Sequence, residues 1–210
     1  MGKIPFMIDL TNKNIVIVGG GKVAERRLLL LKDQCASITV ISETITEEIE
    51  NYIDNTSIYW YKRPFRDEDI IDTDFVIIAT NDKKVNEHVI NVTPKHVLLN
   101  AAHNANEGNI EFMKTVKRGL LQVGIHTGGA SPTLAKKLYH DIEASFPSDY
   151  SDYVDFLYEV RQLIKLSPLE NMEKHALLKE MVDCPIYDKE EQALFILQLK
   201  KKIEHPRSTK

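Results

Sequence analysis

The chain has 210 residues, 43% of them hydrophobic and 28% charged, which is typical of a globular protein with one or two domains. Its net charge of -4 argues against a general nucleic-acid-binding protein, whose binding surface would be basic. No run approaches the ~20 apolar residues of a membrane span, and residues 1–14 lack the apolar core of a secretory leader. Cys35 and Cys184 form neither a zinc pattern nor a C-x-x-C pair. We therefore expect a cytoplasmic protein that contacts neither membrane nor nucleic acid.

The first half of the chain alternates between strand-like and helix-like segments. β-Branched and aromatic runs predict strands, and segments rich in helix formers predict the helices between them. The second of these helices is expected to have Thr44 or Thr46 as its N-cap. Such alternation predicts an α/β fold with a Rossmann-like, doubly wound parallel sheet over 1–112. The strands are expected at 14–21, 37–42, 57–64, 74–80 and 96–102, and the helices at 22–33, 44–54 and 82–93.

The pattern changes in the second half. A further strand is expected at 119–129, entering a glycine turn, and a helix with a Ser-Pro start is expected at 131–146. From residue 148 the chain is predicted to be helical and charged, and the tail 205–210 is predicted to be loose.

Gly19, Gly21 and Ala24 match the dinucleotide fingerprint G-x-G-x-x-G/A, between a predicted strand and a predicted helix. Gly19 would permit the tight turn, and Gly21 would let the backbone approach a pyrophosphate. The N-terminus of a helix offers free N–H groups and a partial positive charge to a bound phosphate. The pattern predicts nucleotide binding; the alternative is a glycine turn in a Rossmann-like domain that binds no nucleotide.

Polar residues follow the second and fourth predicted strands. Glu43 lies 22 residues after Gly21, where a carboxylate would accept hydrogen bonds from the ribose of NAD and repel the 2′-phosphate of NADP. We therefore expect NAD as the cofactor. Thr80 and Asn81 are candidate contacts to the ribose or nicotinamide. The alternatives are that Glu43 belongs to an exposed helical turn, and that Asn81 or Asp82 only caps the next helix.

Three longer segments together resemble one family. "IPFMIDLTNKNIVIVGGGKVAERRLLLL", "FVIIATNDKKVNEHV" and "GIHTGGASPTLAKKLYHDIEASFP" are similar to the precorrin-2 dehydrogenase and sirohydrochlorin ferrochelatase family, the N-terminal module of sirohaem synthase. The resemblance implies NAD-dependent oxidation of precorrin-2, a tetrapyrrole, to sirohydrochlorin, and in some members insertion of ferrous iron. It implies a homodimer, with a dimerisation and substrate region at 113–147 and a helical domain at 148–210. It also places Lys22, Val23, Glu43 and Thr44 at the cofactor.

His103 is the main departure from the family pattern. The family usually has N-V-V-D after the fifth strand, with the aspartate implicated in catalysis, whereas this chain has Asn100-Ala101-Ala102-His103. An imidazole, with an ordinary pKa of about 6.5, can accept the proton that dehydrogenation releases. By the same resemblance, Thr127 retains the hydroxyl of a serine important in some members. His103 and Thr127 are therefore the catalytic candidates, against the alternative that His103 only hydrogen-bonds the backbone of its loop.

The tetrapyrrole carries eight carboxylates, so cationic partners are expected despite the acidic chain. The function favoured by the resemblance is NAD-dependent dehydrogenation of precorrin-2. The alternatives are a bifunctional dehydrogenase and ferrochelatase, an NAD-sensing domain without turnover, and a dimeric scaffold that has lost its chemistry. The candidate cations are Arg26, Arg27, Lys114, Lys117, Arg118, Lys136 and Lys137.

Overall fold

A computed structural model of the chain describes residues 3–53 and 57–204. The chain divides into two compact units, residues 1–112 and 113–210. Each unit has its own hydrophobic core. No helix among the described residues is both long and apolar enough to cross a bilayer.

The first unit is a five-stranded parallel sheet with helices, as the alternation predicts. Its elements are β1 (Asn14–Val18), α1 (Lys22–Leu31), β2 (Ser37–Ile41), α2 (Glu47–Glu50), β3 (Ile58–Tyr61), β4 (Phe75–Ile78), α3 (Lys83–Val92) and β5 (Leu98–Ala101). The strand order is β3-β2-β1-β4-β5, so the direction of winding reverses between β1 and β4. This is the Rossmann-like, doubly wound arrangement.

Residues 15–18 of β1 and all of β4 are apolar and buried, because both faces of the sheet are covered there. Side chains alternate between the faces with a period of two. Ile15 and Ile17 of β1 therefore enter one core cluster, whereas Val16 and Val18 enter the other. β4 is buried along its whole length. The two-sided core fixes the carboxyl edge of the sheet, where the candidate site lies.

Several local features of this unit differ from the sequence prediction, among them a third short helix, the 3-10 helix Ala105–Glu107, which was not predicted. The helix expected at 44–54 is a single turn, α2, with Thr46 as its N-cap; the backbone tightens after it, since Tyr52 N–H donates to Ile49 O. Asp54 lies outside the described residues. A short 3-10 helix, Asp67–Ile70, was not predicted. Its carboxylate Asp69 accepts hydrogen bonds from the backbone N–H of Arg66 and from the Arg63 guanidinium.

The second unit begins with an antiparallel hairpin of β6 (Lys114–Arg118) and β7 (Leu121–Ile125). Gly119 makes the turn with φ +56°. β7 is shorter than the strand predicted at 119–129. β6 was not predicted, because four of its five residues are polar and only Val116 is buried.

The rest of the second unit is helical, as predicted. Ser131 caps α4 (Pro132–Ser145) by accepting a hydrogen bond from Leu134 N–H at 3.1 Å. Three further helices follow, and their apolar faces build one core around Phe156, Val160 and Ile164. These helices are α5 (Tyr150–Leu166), α6 (Asn171–Asp183) and α7 (Lys189–Glu204). The tail 205–210 lies outside the described residues.

Candidate active site

The carboxyl ends of β1, β2 and β4 surround a cleft of about 350 Å³. It lies where the winding of the sheet reverses, which is the usual ligand position in open α/β sheets. Five predicted cofactor contacts line it: Gly19, Gly21, Thr44, Thr80 and Asn81. The other lining residues are Gly20, Ser42, Ile45, Thr46 and Ala79.

Gly19 makes the tight turn after β1, as its place in the fingerprint predicts. Its φ is +119°, and a Cβ at this position would overlap the carbonyl of Ala79. Its N–H donates to Ile41 O at 2.9 Å, and Ala79 N–H donates to Val18 O at 2.8 Å. The turn is thus tied to both neighbouring strands, and only glycine fits it.

Gly20 occupies a variable position of the fingerprint and was not predicted to contribute to the site. A Cβ here would overlap the carbonyl oxygen of Thr44 and crowd Ile45. Its own carbonyl accepts a hydrogen bond from Thr46 N–H at 3.0 Å. Gly20 therefore lets the segment after β2 pack directly against the glycine turn and form one wall of the cleft.

Gly21 is the N-cap residue of α1 and faces open space. A Cβ built on it meets no described atom within 4 Å, and no side chain caps the helix. The first-turn N–H groups are therefore available to an anion. Ala24, which is fully buried, keeps the helix close to the sheet. These features fit the pyrophosphate of a dinucleotide.

The first turn of α1 also carries Lys22, Val23 and Glu25. Lys22 donates to Glu25 at 2.9 Å, and this hydrogen bond is the main reason that the pKa of Glu25 lies below its ordinary value. The lysine thus balances the charge of Glu25, the acidic residue in the first turn of α1. Neither Lys22 nor Val23 is among the residues that line the cleft.

The segment after β2 places Ser42 and Thr44 in the cleft lining, whereas Glu43 is exposed and outside it. The Ser42 carbonyl is held by the indole N–H of Trp60 at 2.9 Å. The role of Glu43 at the ribose stays a prediction.

Thr80 and Asn81 line the cleft after β4, and Asp82 is the residue that caps α3. The Thr80 hydroxyl accepts the N–H of Asp82 at 2.8 Å. Its carbonyl accepts a hydrogen bond from the amide of Asn86 at 3.2 Å. Asn86 is only 2% exposed and was not predicted. It fixes the backbone of this wall from within α3.

His103 follows β5 at the same edge of the sheet, because β5 pairs with β4 and Ala102 N–H still donates to Ile78 O. Its Nε2 lies 2.7 Å from Oε2 of Glu107. The other oxygen of that carboxylate accepts a hydrogen bond from the Asn104 amide at 2.9 Å. The described partner of the imidazole is thus a carboxylate and not the backbone. His103 does not line the cleft described above.

The loop that carries His103 folds back along β5. Asn109 accepts the N–H of Leu99 at 2.7 Å, and its own N–H donates to Leu99 O at 2.9 Å. A Cβ at Gly108 would overlap that same Leu99 carbonyl. Lys3 donates to Ala105 O at 3.0 Å. The loop is therefore closely tied to the first unit.

Thr127 lies in the second unit, in the turn between β7 and α4. Its hydroxyl donates to Ser131 O at 3.3 Å. The turn continues with positive φ angles at Gly128 and Gly129. His126 Nδ1 accepts the N–H of Gly128 at 3.2 Å. The Thr127 hydroxyl and the His126 imidazole therefore both contact the backbone of this turn.

Three of the seven candidate cations, Arg27, Arg118 and Lys114, have internal contacts. Arg27 is half-buried over the ring of Phe112, with its guanidinium carbon 4.0 Å from the ring centroid. Arg118 donates to the carbonyls of Phe146 and Pro147 at the end of α4. Lys114 is exposed, and its Nζ lies 4.5 Å from the centroid of the Tyr139 ring. Arg26, Lys117, Lys136 and Lys137 are exposed as well. These last four residues are the better candidates for carboxylate partners.

Known proteins match both units. A family model of NAD(P)-binding domains matches residues 6–113, and a model of the SirC C-terminal domain matches 150–195. A precorrin-2 dehydrogenase of Priestia megaterium is 34% identical over 177 residues, which cover 84% of this chain and 88% of that protein. The chain belongs to the precorrin-2 dehydrogenase family. This confirms the family that the sequence motifs indicate.

Other members of the precorrin-2 dehydrogenase family extend the likeness. The enzyme of that name from Bacillus subtilis is 34% identical over 159 residues, covering 76% of this chain and 98% of that one. The solved structure of SirC, precorrin-2 dehydrogenase, has a TM-score of 0.83 and 32% identity, and the match covers 95% of this chain and all of that chain. A siroheme synthase of Mannheimia succiniciproducens matches over only 35% of its length, at 28% identity. The family thus includes proteins of this length and much longer ones.

Proposed function

We propose that this chain oxidises precorrin-2 to sirohydrochlorin, a step of sirohaem synthesis, with NAD as its cofactor. The observation that carries the proposal is the open, uncapped N-terminus of α1 at Gly21, in a chain 34% identical to named precorrin-2 dehydrogenases. Bound NAD supplies the hydride acceptor.

The residues of the first unit give each part of the cofactor a place. The free N–H groups at the start of α1, which include those of Lys22 and Val23, would hold the pyrophosphate. Thr44 and the Glu43 carboxylate, after β2, would bind the adenosine ribose and disfavour a 2′-phosphate. Thr80 and Asn81 would border the nicotinamide half.

His103 is proposed as the proton acceptor. Oxidation removes a hydride and a proton, and the proton needs a base at the substrate. His103 lies at the same edge of the sheet as the cleft, and its side chain is 31% exposed. Thr127, in the proposed dimerisation and substrate region 113–147, is proposed as a second substrate contact. The helical domain 148–210 is proposed as the third domain, after the NAD-binding domain 1–112 and the region 113–147.

A homodimer is the proposed assembly. α4 has 14 residues and none of them is buried within the chain. Leu134 and Leu138, one turn apart, are 47% and 37% exposed, and Leu120 in the hairpin turn is 60% exposed. A second copy covering this surface would remove these side chains from water. Light scattering should give the mass of a dimer, and Leu138→Glu should shift it towards the monomer. A wild-type monomer would contradict the assembly.

A cytoplasmic location is also proposed. Cys35 and Cys184 are both free thiols in the structure. Free thiols fit a reducing compartment, in which disulfides are rare.

Anaerobic turnover tests the function. Wild-type protein mixed with precorrin-2 and NAD should produce NADH, and Gly21→Asp should not, because its carboxylate would enter the pyrophosphate position. NAD binding measured by calorimetry separates the alternatives. Wild-type protein that binds NAD without turnover would support an NAD-sensing domain, and undiminished NAD affinity of Gly21→Asp would contradict the assignment of the glycine turn.

A further inference from the structure

We propose that Glu107 is a positioning residue for His103, and that the two side chains act together as the base that accepts the substrate proton. This inference rests on the proposed function. It assigns a function to the contact between the His103 imidazole and the Glu107 carboxylate.

The hydrogen bonds define which nitrogen is available. His103 Nε2 lies 2.7 Å from Glu107 Oε2, and Asn104 donates to Oε1 at 2.9 Å. An ionised carboxylate only accepts hydrogen bonds, so the proton of the first contact belongs to Nε2. The lone pair of the neutral imidazole is then on Nδ1. No described residue donates a hydrogen bond to Nδ1.

The pair is held by its own loop. His103 and Glu107 are four residues apart, at either end of a turn that contains the 3-10 helix Ala105–Glu107. Asn104 caps this helix by accepting the N–H of Asn106 at 3.2 Å. The turn thus brings the carboxylate back to the imidazole, and the Asn104 amide fixes the carboxylate's other oxygen.

The proton balance follows from this geometry. The substrate loses a hydride, which is one hydrogen nucleus with two electrons and leaves with the cofactor. It also loses one proton. That proton is taken by Nδ1, and the bond it leaves supplies the new double bond of the product. The resulting imidazolium faces the negative charge of Glu107, and a partly exposed ring can release the proton to water.

A double-mutant cycle tests the coupling. Glu107→Ala should lower kcat about tenfold while KM stays within about twofold, because the loss is one of base orientation. Glu107→Gln, which keeps an acceptor oxygen, should fall between wild type and Glu107→Ala. In the His103→Ala background, Glu107→Ala should cause no further loss. NAD affinity should be equal in all of these variants.

The chain offers a matched control. His88 and Asp67 form a second exposed imidazole–carboxylate pair with the same 2.7 Å separation, between α3 and the 3-10 helix Asp67–Ile70. Asp67→Ala should leave kcat and KM unchanged. It controls for the general loss of a surface carboxylate beside a histidine.

Nitrogen NMR of the protein without substrate gives a readout independent of turnover. The His103 signal, assigned by its loss in His103→Ala, should show a protonated Nε2, and Glu107→Ala should add the other tautomer. Equal kcat losses from Glu107→Ala in both backgrounds, an unchanged kcat in wild-type background, or an unchanged tautomer would overturn the proposal. Wild-type protein without turnover would instead overturn the proposed function, and this inference with it.

Discussion

Gly20→Ala is the substitution that tests most sharply how the cleft is built. The added methyl group would overlap the backbone carbonyl of Thr44 and lie within 3.0 Å of two atoms of Ile45. A backbone oxygen cannot rotate away as a side chain can. To relieve the overlap, the segment after β2 must move, and the hydrogen bond from Thr46 N–H to Gly20 O is then strained or lost.

The cost can be estimated from these two terms. Overpacking of a fixed site costs about 1–3 kcal/mol, and the lost hydrogen bond adds about 1 kcal/mol. We therefore expect Gly20→Ala to lower the free energy of unfolding of the first unit by about 2–4 kcal/mol. Since 1 kcal/mol shifts the Tm of a domain of about 100 residues by roughly 4–8 °C, its Tm should fall by at least about 8 °C.

Urea unfolding followed by tryptophan fluorescence is the assay. Trp60 is the only tryptophan of the chain, and it donates to Ser42 O at the wall of the cleft. Gly21→Ala is the control, because its Cβ meets nothing within 4 Å. Because alanine is a poorer N-cap than glycine, Gly21→Ala should lower the free energy of unfolding by up to about 1 kcal/mol, less than Gly20→Ala, while NAD affinity falls. Equal unfolding midpoints for the two variants would refute the packing role of Gly20.

Three further substitutions test the cofactor, the proton acceptor and one ion pair. Glu43→Ser should weaken NAD binding about tenfold, or ~1.4 kcal/mol, and reduce discrimination against NADP in calorimetry; an unchanged preference would exclude Glu43 from the ribose site. His103→Ala should slow precorrin-2 turnover at least about tenfold, or ~1.4 kcal/mol of barrier; an unchanged rate would make it a plain loop residue. Asp69→Asn should lower the free energy of unfolding by about 2 kcal/mol near neutral pH, measured by urea unfolding. An unchanged unfolding midpoint would show that the ion pair between Asp69 and Arg63 does not stabilise the fold.

The pH dependence of Asp69 follows from its surroundings. Burial alone would raise the pKa of Asp69, but the Arg63 guanidinium and the Arg66 N–H outweigh it and lower this pKa below its ordinary value. A carboxylate with a lowered pKa in the folded state stabilises the fold above the unfolded pKa. The stability difference between wild type and Asp69→Asn should therefore shrink as the pH falls below about 4 towards the lowered pKa.

The sequence predicts well those elements whose residues all share one environment. Residues 15–18 of β1 and all of β4 are continuous apolar runs because both faces of the sheet are buried, and Ser131 carries the local signal of an N-cap. β6 escapes prediction because its stability comes from pairing with β7, while its own residues are mostly polar. The single turn α2 is shorter than its helix formers suggest, since local propensity alone does not set a helix end.

The residues of the candidate site likewise include some that a local sequence pattern reveals and some that it does not. Gly19 and Gly21 are recognisable because the fingerprint needs them for reasons local to one turn. Gly20 is not, because what excludes its Cβ is a carbonyl more than 20 residues away in the chain, at Thr44. Asn86 and Glu107 act through contacts with Thr80 and His103 that only the folded chain defines. No local pattern marks either residue.

The measurement that tests the central claim most directly is the stoichiometry of the reaction under anaerobic conditions. Purified protein, precorrin-2 and NAD are mixed, and absorbance spectra follow NADH and the tetrapyrrole together. We expect one NADH for each precorrin-2 converted to sirohydrochlorin, and no conversion when NAD is omitted. Conversion without NADH, or tight NAD binding with no conversion, would contradict the central claim.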